Sequence, residues 1–291
     1  MACLAAGGCG RPNAGADGGA GVATVPGEKR FPLAGEVVAV DAKRKIVQVR
    51  HGEVKGYMPA MTMEFAVSPG DALSVRVGER IRAVLVVDPA GKARLEEVWP
   101  DDKVAEDTIA AGAQALREDT NDRGRSAYRD VGEAMPDFAL YDQDGRVVQS
   151  SRFRGKQILL NFIYSRCPIA TMCPAATMKM VGTQDLARRA GIANIEFISI
   201  SLDPEHDTPG VLKAYATDRG IDTRNFSFLT GPKPAIRDLL AQFGVIAQDN
   251  GDILKHTLAT VLIDDQGRIV WRADGSAWEP KEFVSRMRPS S

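Results

Sequence analysis

Between Leu33 and Trp99 short β-type runs, apolar with polar residues set among them, recur at 36–40, 45–51, 61–67, 74–77, 80–87 and 93–98, broken by Gly, Pro and Asp. Side chains of a strand point to opposite faces in turn, so this pattern predicts half-buried strands, and so many in so short a stretch predict a small all-β barrel. From Met135 the pattern changes. Apolar runs at 157–164, 195–202, 226–229, 258–264 and 268–272 read as strands, and helical periodicity at 174–189, 209–218, 234–243 and 280–287 separates or follows them. Alternation of this kind predicts an α/β sheet with flanking helices, whose last two strands form an antiparallel pair across Asp264-Asp265-Gln266-Gly267.

These patterns divide the chain into a Gly/Ala-rich leader or flexible tether at 1–30, a β-barrel at 31–100, a charged and partly helical linker at 101–130, and an α/β unit at 131–291. The 37 Lys and Arg against 38 Asp and Glu leave a formal charge of −1, which provides no basic field for nucleic acid. No run of about 18 apolar residues is present, the length a membrane-spanning helix needs. At the start, small residues precede Cys9 as in a bacterial lipoprotein signal, which makes Cys9 a candidate for lipidation and the chain membrane-tethered only in that case.

The chemistry sits in few residues, since the chain has only four cysteines and three histidines. Cys167 and Cys173 have five residues between them, after an apolar strand and before a helix that Pro174 suits at its first turn. Strand, dithiol loop and helix make a thioredoxin-like arrangement, in which the helix N-terminus favours a thiolate. A thiolate is both a nucleophile and a soft metal ligand, so the pair reads as a redox or metal site.

Three separated motifs then resemble the SCO/SenC family: Phe162-Ile163-Tyr164-Ser165-Arg166-Cys167-Pro168 through Cys173-Pro174; Ser201-Leu202-Asp203-Pro204-Glu205-His206-Asp207-Thr208-Pro209; and Lys255-His256-Thr257 before Val261-Leu262-Ile263-Asp264. The resemblance implies a thioredoxin-like fold, a periplasmic or inner-membrane-anchored location, and delivery of copper to the CuA centre in the copper-bearing subunit of cytochrome c oxidase. It makes Cys167 and Cys173 thiolate ligands, able also to close as a redox disulfide, and His256 the imidazole ligand. One departure is the spacing: the family usually has three residues between the cysteines and this chain has five. His206, among acidic residues, is expected to be merely exposed.

In the barrel, Met58-Pro59-Ala60-Met61-Thr62-Met63-Glu64-Phe65 follows a strand that ends in His51. Period two places Met61, Met63 and Phe65 on one face and His51, Val49 and Val47 on one face. The string resembles the metal strand of small periplasmic copper-binding domains of the CusF type, which implies Cu(I) held by His51, Met61 and Met63. Met58 stands where that family has Trp, and offers a third sulfur. The function expected is a carrier of Cu(I) and Cu(II), not a catalyst, with copper passing from barrel to thiolates. Two other readings stand beside it: a thiol–disulfide oxidoreductase that reduces partner cysteines, and a periplasmic copper-sequestering resistance protein. The oxidoreductase usually places a proline near the position of His256, and residues 255–260 contain none.

Overall fold

Strand β1, Lys29–Asp41, is long enough to serve two neighbours, pairing antiparallel with β2, Ile46–His51, through its second half and with β4, Arg80–Val87, through its first. The computed structural model describes residues 26–250 and 253–289. Strand β3, Met61–Ala66, pairs with β2, and β5, Ala93–Pro100, pairs with β4 and meets β3 in parallel at Arg94 and Ala66. The order β1-β2-β3-β5-β4 thereby closes into a barrel, which leaves no edge strand unpaired. Leu33, Val37, Val49, Phe65, Leu85 and Leu95 fill it, and each such buried side chain stabilises by about 1.5–3 kcal/mol relative to exposure.

Residues 74–77, expected as a strand, are not one. Ser68 caps helix α1, Pro69–Ser74, by accepting the backbone N–H of Asp71, with Pro69 in the first turn. That start signal outweighs the strand propensity of Val75 and Val77. The helix ends as the Val75 N–H donates to the Asp71 carbonyl, and Val77 is left exposed.

The charged stretch after the barrel forms one helix of 21 residues, α2, Lys103–Arg123, capped by Asp102. Two of its apolar positions are used, Ile109 packing on Ala139 and Tyr141 and Leu116 joining the core of the α/β unit, while Val104 is left exposed. The Arg117 guanidinium donates to Asp238 at 2.6 Å, so this connection is held against the body of the chain.

A short hairpin, β6 at Ala139–Tyr141 with β7 at Val147–Gln149, precedes the main sheet. Strands β8, Gln157–Ile163, and β9, Ile195–Ser201, are buried at every position, as expected of parallel strands covered on both faces. Between them runs α3, Cys173–Arg189; α4, Pro209–Asp218, leads from β9 to β10, Phe226–Leu229, and α5, Lys233–Gln242, follows. A second hairpin, β11 at Ala247–Asn250 and β12 at Ile253–His256, was not expected. Strands β13, Ala259–Ile263, and β14, Ile269–Asp274, close the sheet as the antiparallel pair expected, and α6, Pro280–Val284, lies against α3. The order β10-β9-β8-β13-β14, three parallel strands followed by an antiparallel pair, is thioredoxin-like. Barrel and sheet are joined by more than α2, because α1 lies on α4 and Asp144 accepts from Lys213 at 2.7 Å while facing Arg76 of the barrel at 3.9 Å.

Candidate metal centres

At the C-terminal end of β8 the chain turns sharply, with the Cys167 N–H donating to the Tyr164 carbonyl at 3.3 Å. The five residues between the cysteines form a second turn, closed by the Met172 N–H on the Ile169 carbonyl, which absorbs the extra length and returns Cys173 to the first position of α3. His256 arrives from the end of β12. The sulfurs of Cys167 and Cys173 and a nitrogen of His256 lie within 4.8 Å of one another, and the His256 Nε2 is 3.4 Å from the Cys173 sulfur. Among the described residues this is the group of three His, Cys, Asp or Glu side chains placed to hold one metal ion.

Protonation of the set follows from its partners. His256 Nδ1 is 3.0 Å from the Thr257 carbonyl, an oxygen that can only accept, so Nδ1 carries the proton and Nε2 offers its lone pair toward Cys173. Burial lowers the imidazole's proton affinity and keeps it neutral. Burial also pushes the Cys173 thiol up, although the backbone N–H of Tyr164 opposes the shift. The helix N-terminus therefore does not make Cys173 a free thiolate here: desolvation wins, and a metal ion has to displace the proton.

The second motif supports the loop from below. Asp207 is fully buried and accepts from the Ser201 hydroxyl at 2.6 Å, the Ser165 N–H at 3.1 Å and the Ser165 hydroxyl, while the Arg166 guanidinium donates to Asp203 at 2.6 Å. Two carboxylates thus fix the two residues that precede Cys167. His206, expected exposed, is half-buried in a cleft of about 380 Å³ between α4's entry and the barrel.

The barrel candidates come together at one end of a strand pair. His51 stands directly opposite Met61 and Val49 opposite Met63, and paired positions share a face. His51 is buried, Met63 and Met58 are half-buried and Met61 is 46% exposed, so the stripe lies at the barrel mouth and not inside it. The His51 Nδ1 is 2.6 Å from the Gly52 carbonyl, which assigns the proton to Nδ1 and leaves Nε2 buried with no hydrogen-bond partner. An orphaned buried imidazole nitrogen beside thioethers suits a soft ion. Cys9 lies outside the described residues.

Sequence reasoning placed Asp207 inside the second family motif but gave it no role; its signal was an acidic residue just before Thr208-Pro209.

Residues 126–289 match the SCO1/SenC family model, and residues 30–100 match that of the copper binding periplasmic protein CusF. An SCO2-like protein of Rickettsia typhi is 32% identical over 169 residues, 54% of this chain and 79% of its own length. The SCO1 protein homolog of Bacillus subtilis is 35% identical, across 53% of this chain and 81% of its own. Among solved structures, a SCO1/SenC family lipoprotein of Bacillus anthracis is 25% identical over 55% of this chain and 96% of its own, with a TM-score of 0.49. ScoI of Bradyrhizobium japonicum, solved with copper bound, is 26% identical over 53% of this chain and 97% of its own, with a TM-score of 0.43. With the family's three motifs converging on one dithiol–imidazole cluster and the match spanning more than half of the chain, the protein belongs to the SCO1/SenC family.

Proposed function

We propose that this chain is a periplasmic copper carrier for cytochrome c oxidase assembly, with a CusF-like barrel at 31–100 joined to its thioredoxin-like unit, and that it delivers copper to the CuA centre. The observation that carries the reading is the convergence of Cys167, Cys173 and His256 within 4.8 Å. Two thiolates select Cu(I) by softness, and the added imidazole lets the same set hold Cu(II). Cu(I) at the barrel mouth is held by His51, Met61 and Met63, with Met58 close enough in the chain to offer another thioether. Thioethers need no deprotonation, so the barrel loads without a reducing step and passes copper on when the cysteines are reduced. A lipid on Cys9 would anchor the protein to the inner membrane.

Anaerobic titration of the reduced chain with Cu(I) against a competing chelator tests this reading. Two sites of unequal affinity are expected, the tighter one lost in Cys167→Ser. Incubation of the copper-loaded chain with the soluble CuA-bearing part of the oxidase then reads transfer directly. Retention of all copper by the chain would rule out delivery.

A second reading is a thiol–disulfide oxidoreductase. The half-buried Cys167 beside the fully buried Cys173 favours it, since one sulfur can be reached by a partner disulfide and the other can resolve the mixed disulfide.

A further inference from the structure

Barrel and α/β unit each close over a core of their own, and the two main buried clusters share no residue. What joins them is narrow. α1 lies on α4 where Gly70 meets Gly210, Trp99 is tilted against Tyr141 with ring centroids 5.9 Å apart, and Asp144 faces Lys213 and Arg76. Hollows adjoin this seat at both ends of α1. Ser74 at its end lines a cavity of about 630 Å³ that Arg80 and Trp99 share with Asp144 and Pro209. Ser68 at its start lines the cleft of about 380 Å³ that Val67 and Leu95 share with His206. A joint with voids of this size is packed far less closely than either core, and such a joint can open without unfolding what it joins. Helix α2 is held to the α/β unit through Leu116 and the Arg117–Asp238 pair, so the pivot falls between β5 and α2, at Asp101 and Asp102.

The seat holds the wrong end of the barrel toward the dithiol. Asp207, which accepts from the Ser165 N–H two residues before Cys167, stands only three residues before Gly210. On the barrel's side α1 begins at Pro69, just past the Ala66 end of β3. Met61, paired with His51, stands at the other end of that strand, about 17 Å away along it at the usual rise per residue. The depression at this mouth is lined by Glu53, Tyr57, Met58 and their neighbours in the barrel, and by no described residue of the α/β unit. Met58 and Met63 pack on the barrel's core, whereas Cys167 packs on the other. An ion that passes between two donor sets without release to water has to be reached by both at once. We propose that the contact of α1 with α4 blocks the relay of copper within one chain, and that the barrel leaves this seat, pivoting at Asp101 and Asp102, before Cu(I) on Met61, Met63 and His51 reaches Cys167 and Cys173. This rests on the two-site copper reading above. Copper stays Cu(I) throughout: two thioethers and an imidazole give it up, two sulfurs and an imidazole take it, and the protons of the two thiols pass to water.

The test uses the full chain with Cys3→Ser and Cys9→Ser, so that one thiol pair remains. With Cys167 and Cys173 closed as a disulfide, the chain is loaded with one equivalent of Cu(I). Excess water-soluble phosphine then converts the S–S bond to two thiols and itself becomes the phosphine oxide, at a concentration that reduces the copper-free chain faster than copper moves. Growth of thiolate-to-copper absorption in the near ultraviolet times the transfer. The parent should transfer slowly, at a rate independent of dilution. Gly210→Ala should raise that rate about fivefold or more, the change in population that loosening the seat by about 1 kcal/mol produces. Asp144→Ala removes the ion pair with Lys213, disturbs no core, and should raise the rate in the same direction even if Gly210→Ala does not fold. Neither should change the Cu(I) affinity of the reduced dithiol site. A parental transfer that keeps pace with reduction, a rate that falls in proportion to dilution, or a rate that neither substitution raises overturns the proposal. A disulfide-closed chain that takes up no Cu(I) refutes the copper site of the barrel instead, and the seat then gates nothing.

Discussion

Gly70 of α1 and Gly210 of α4 pass so close that a β carbon on Gly70 would stand 1.8 Å from the Gly210 carbonyl oxygen, and one on Gly210 would stand 2.0 Å from the Asp71 carboxylate. Only hydrogen fits at either position. The barrel is therefore seated on the helix that begins three residues after His206 and two after Asp207, the carboxylate that holds the cysteine loop.

Gly210→Ala is expected to unseat the barrel without unfolding it, since the clash falls on the backbone and carboxylate of a neighbouring element and not on either core. Overpacking of this kind costs about 1–3 kcal/mol. Amide hydrogen exchange should rise along α1 and the first turn of α4, while β2 and β8 keep their protection. Parental exchange at α1 would show that the contact does not hold the two units together.

Asp71 in the same contact predicts a pH dependence. Burial raises its carboxyl from the usual 3.8 to about 6, against the opposing hydrogen bond from Ser68, and one of its oxygens has no partner. The folded state then holds this proton more tightly than the unfolded chain, so stability falls as pH rises from about 4 through about 6 and is level above. Asp71→Asn carries no charge to bury. Its melting temperature should exceed the parent's at pH 7.5, by a stability difference of at most about 3 kcal/mol, and match the parent's near pH 4. Equal differences at both pH values would exclude ionisation as the cause.

What could be read without coordinates follows from which interactions are local. The barrel strands and β8 declared themselves through period and apolar runs, because burial on one face or two dictates residue type at each position. The sulfur and imidazole candidates stood out through rarity and motif. Two elements stayed hidden for different reasons. Helix α1 is only six residues long, and its signature of Ser68, Pro69 and Asp71 was masked by the valines after it. The hairpin that delivers His256 had a turn signal in Asn250-Gly251, but its flanking residues are mostly polar and lack the alternation that marks a half-buried strand.

His256→Ala should separate the two oxidation states of copper. Cu(I) is content with two thiolates, whereas Cu(II) prefers nitrogen in a tetragonal set. Cu(I) affinity measured against a chelator should change little, while Cu(II) affinity falls by at least the roughly 10–100-fold that losing even a partner of a metal ligand commonly costs. The variant's Cu(II) absorption and electron paramagnetic resonance should change together with affinity. An unaltered Cu(II) spectrum would remove His256 from the ligand set.

Met61→Ile with Met63→Ile tests the barrel mouth. Isoleucine keeps volume and apolarity and suits a strand, so β3 should stay paired with β2 and the melting temperature should hold. Only thioether donation is lost, which would leave the buried, unpaired Nε2 of His51 as the remaining donor for a Cu(I) ion at the mouth. The full chain should then bind one equivalent of Cu(I) fewer than the parent, with the tight dithiol site unaffected. Loading of the dithiol site should also slow when Cu(I) is limiting, because capture at the exposed Met61 is gone. If methionine serves merely to fill the barrel, the variant binds as many equivalents as the parent and loads its cysteines at the same rate.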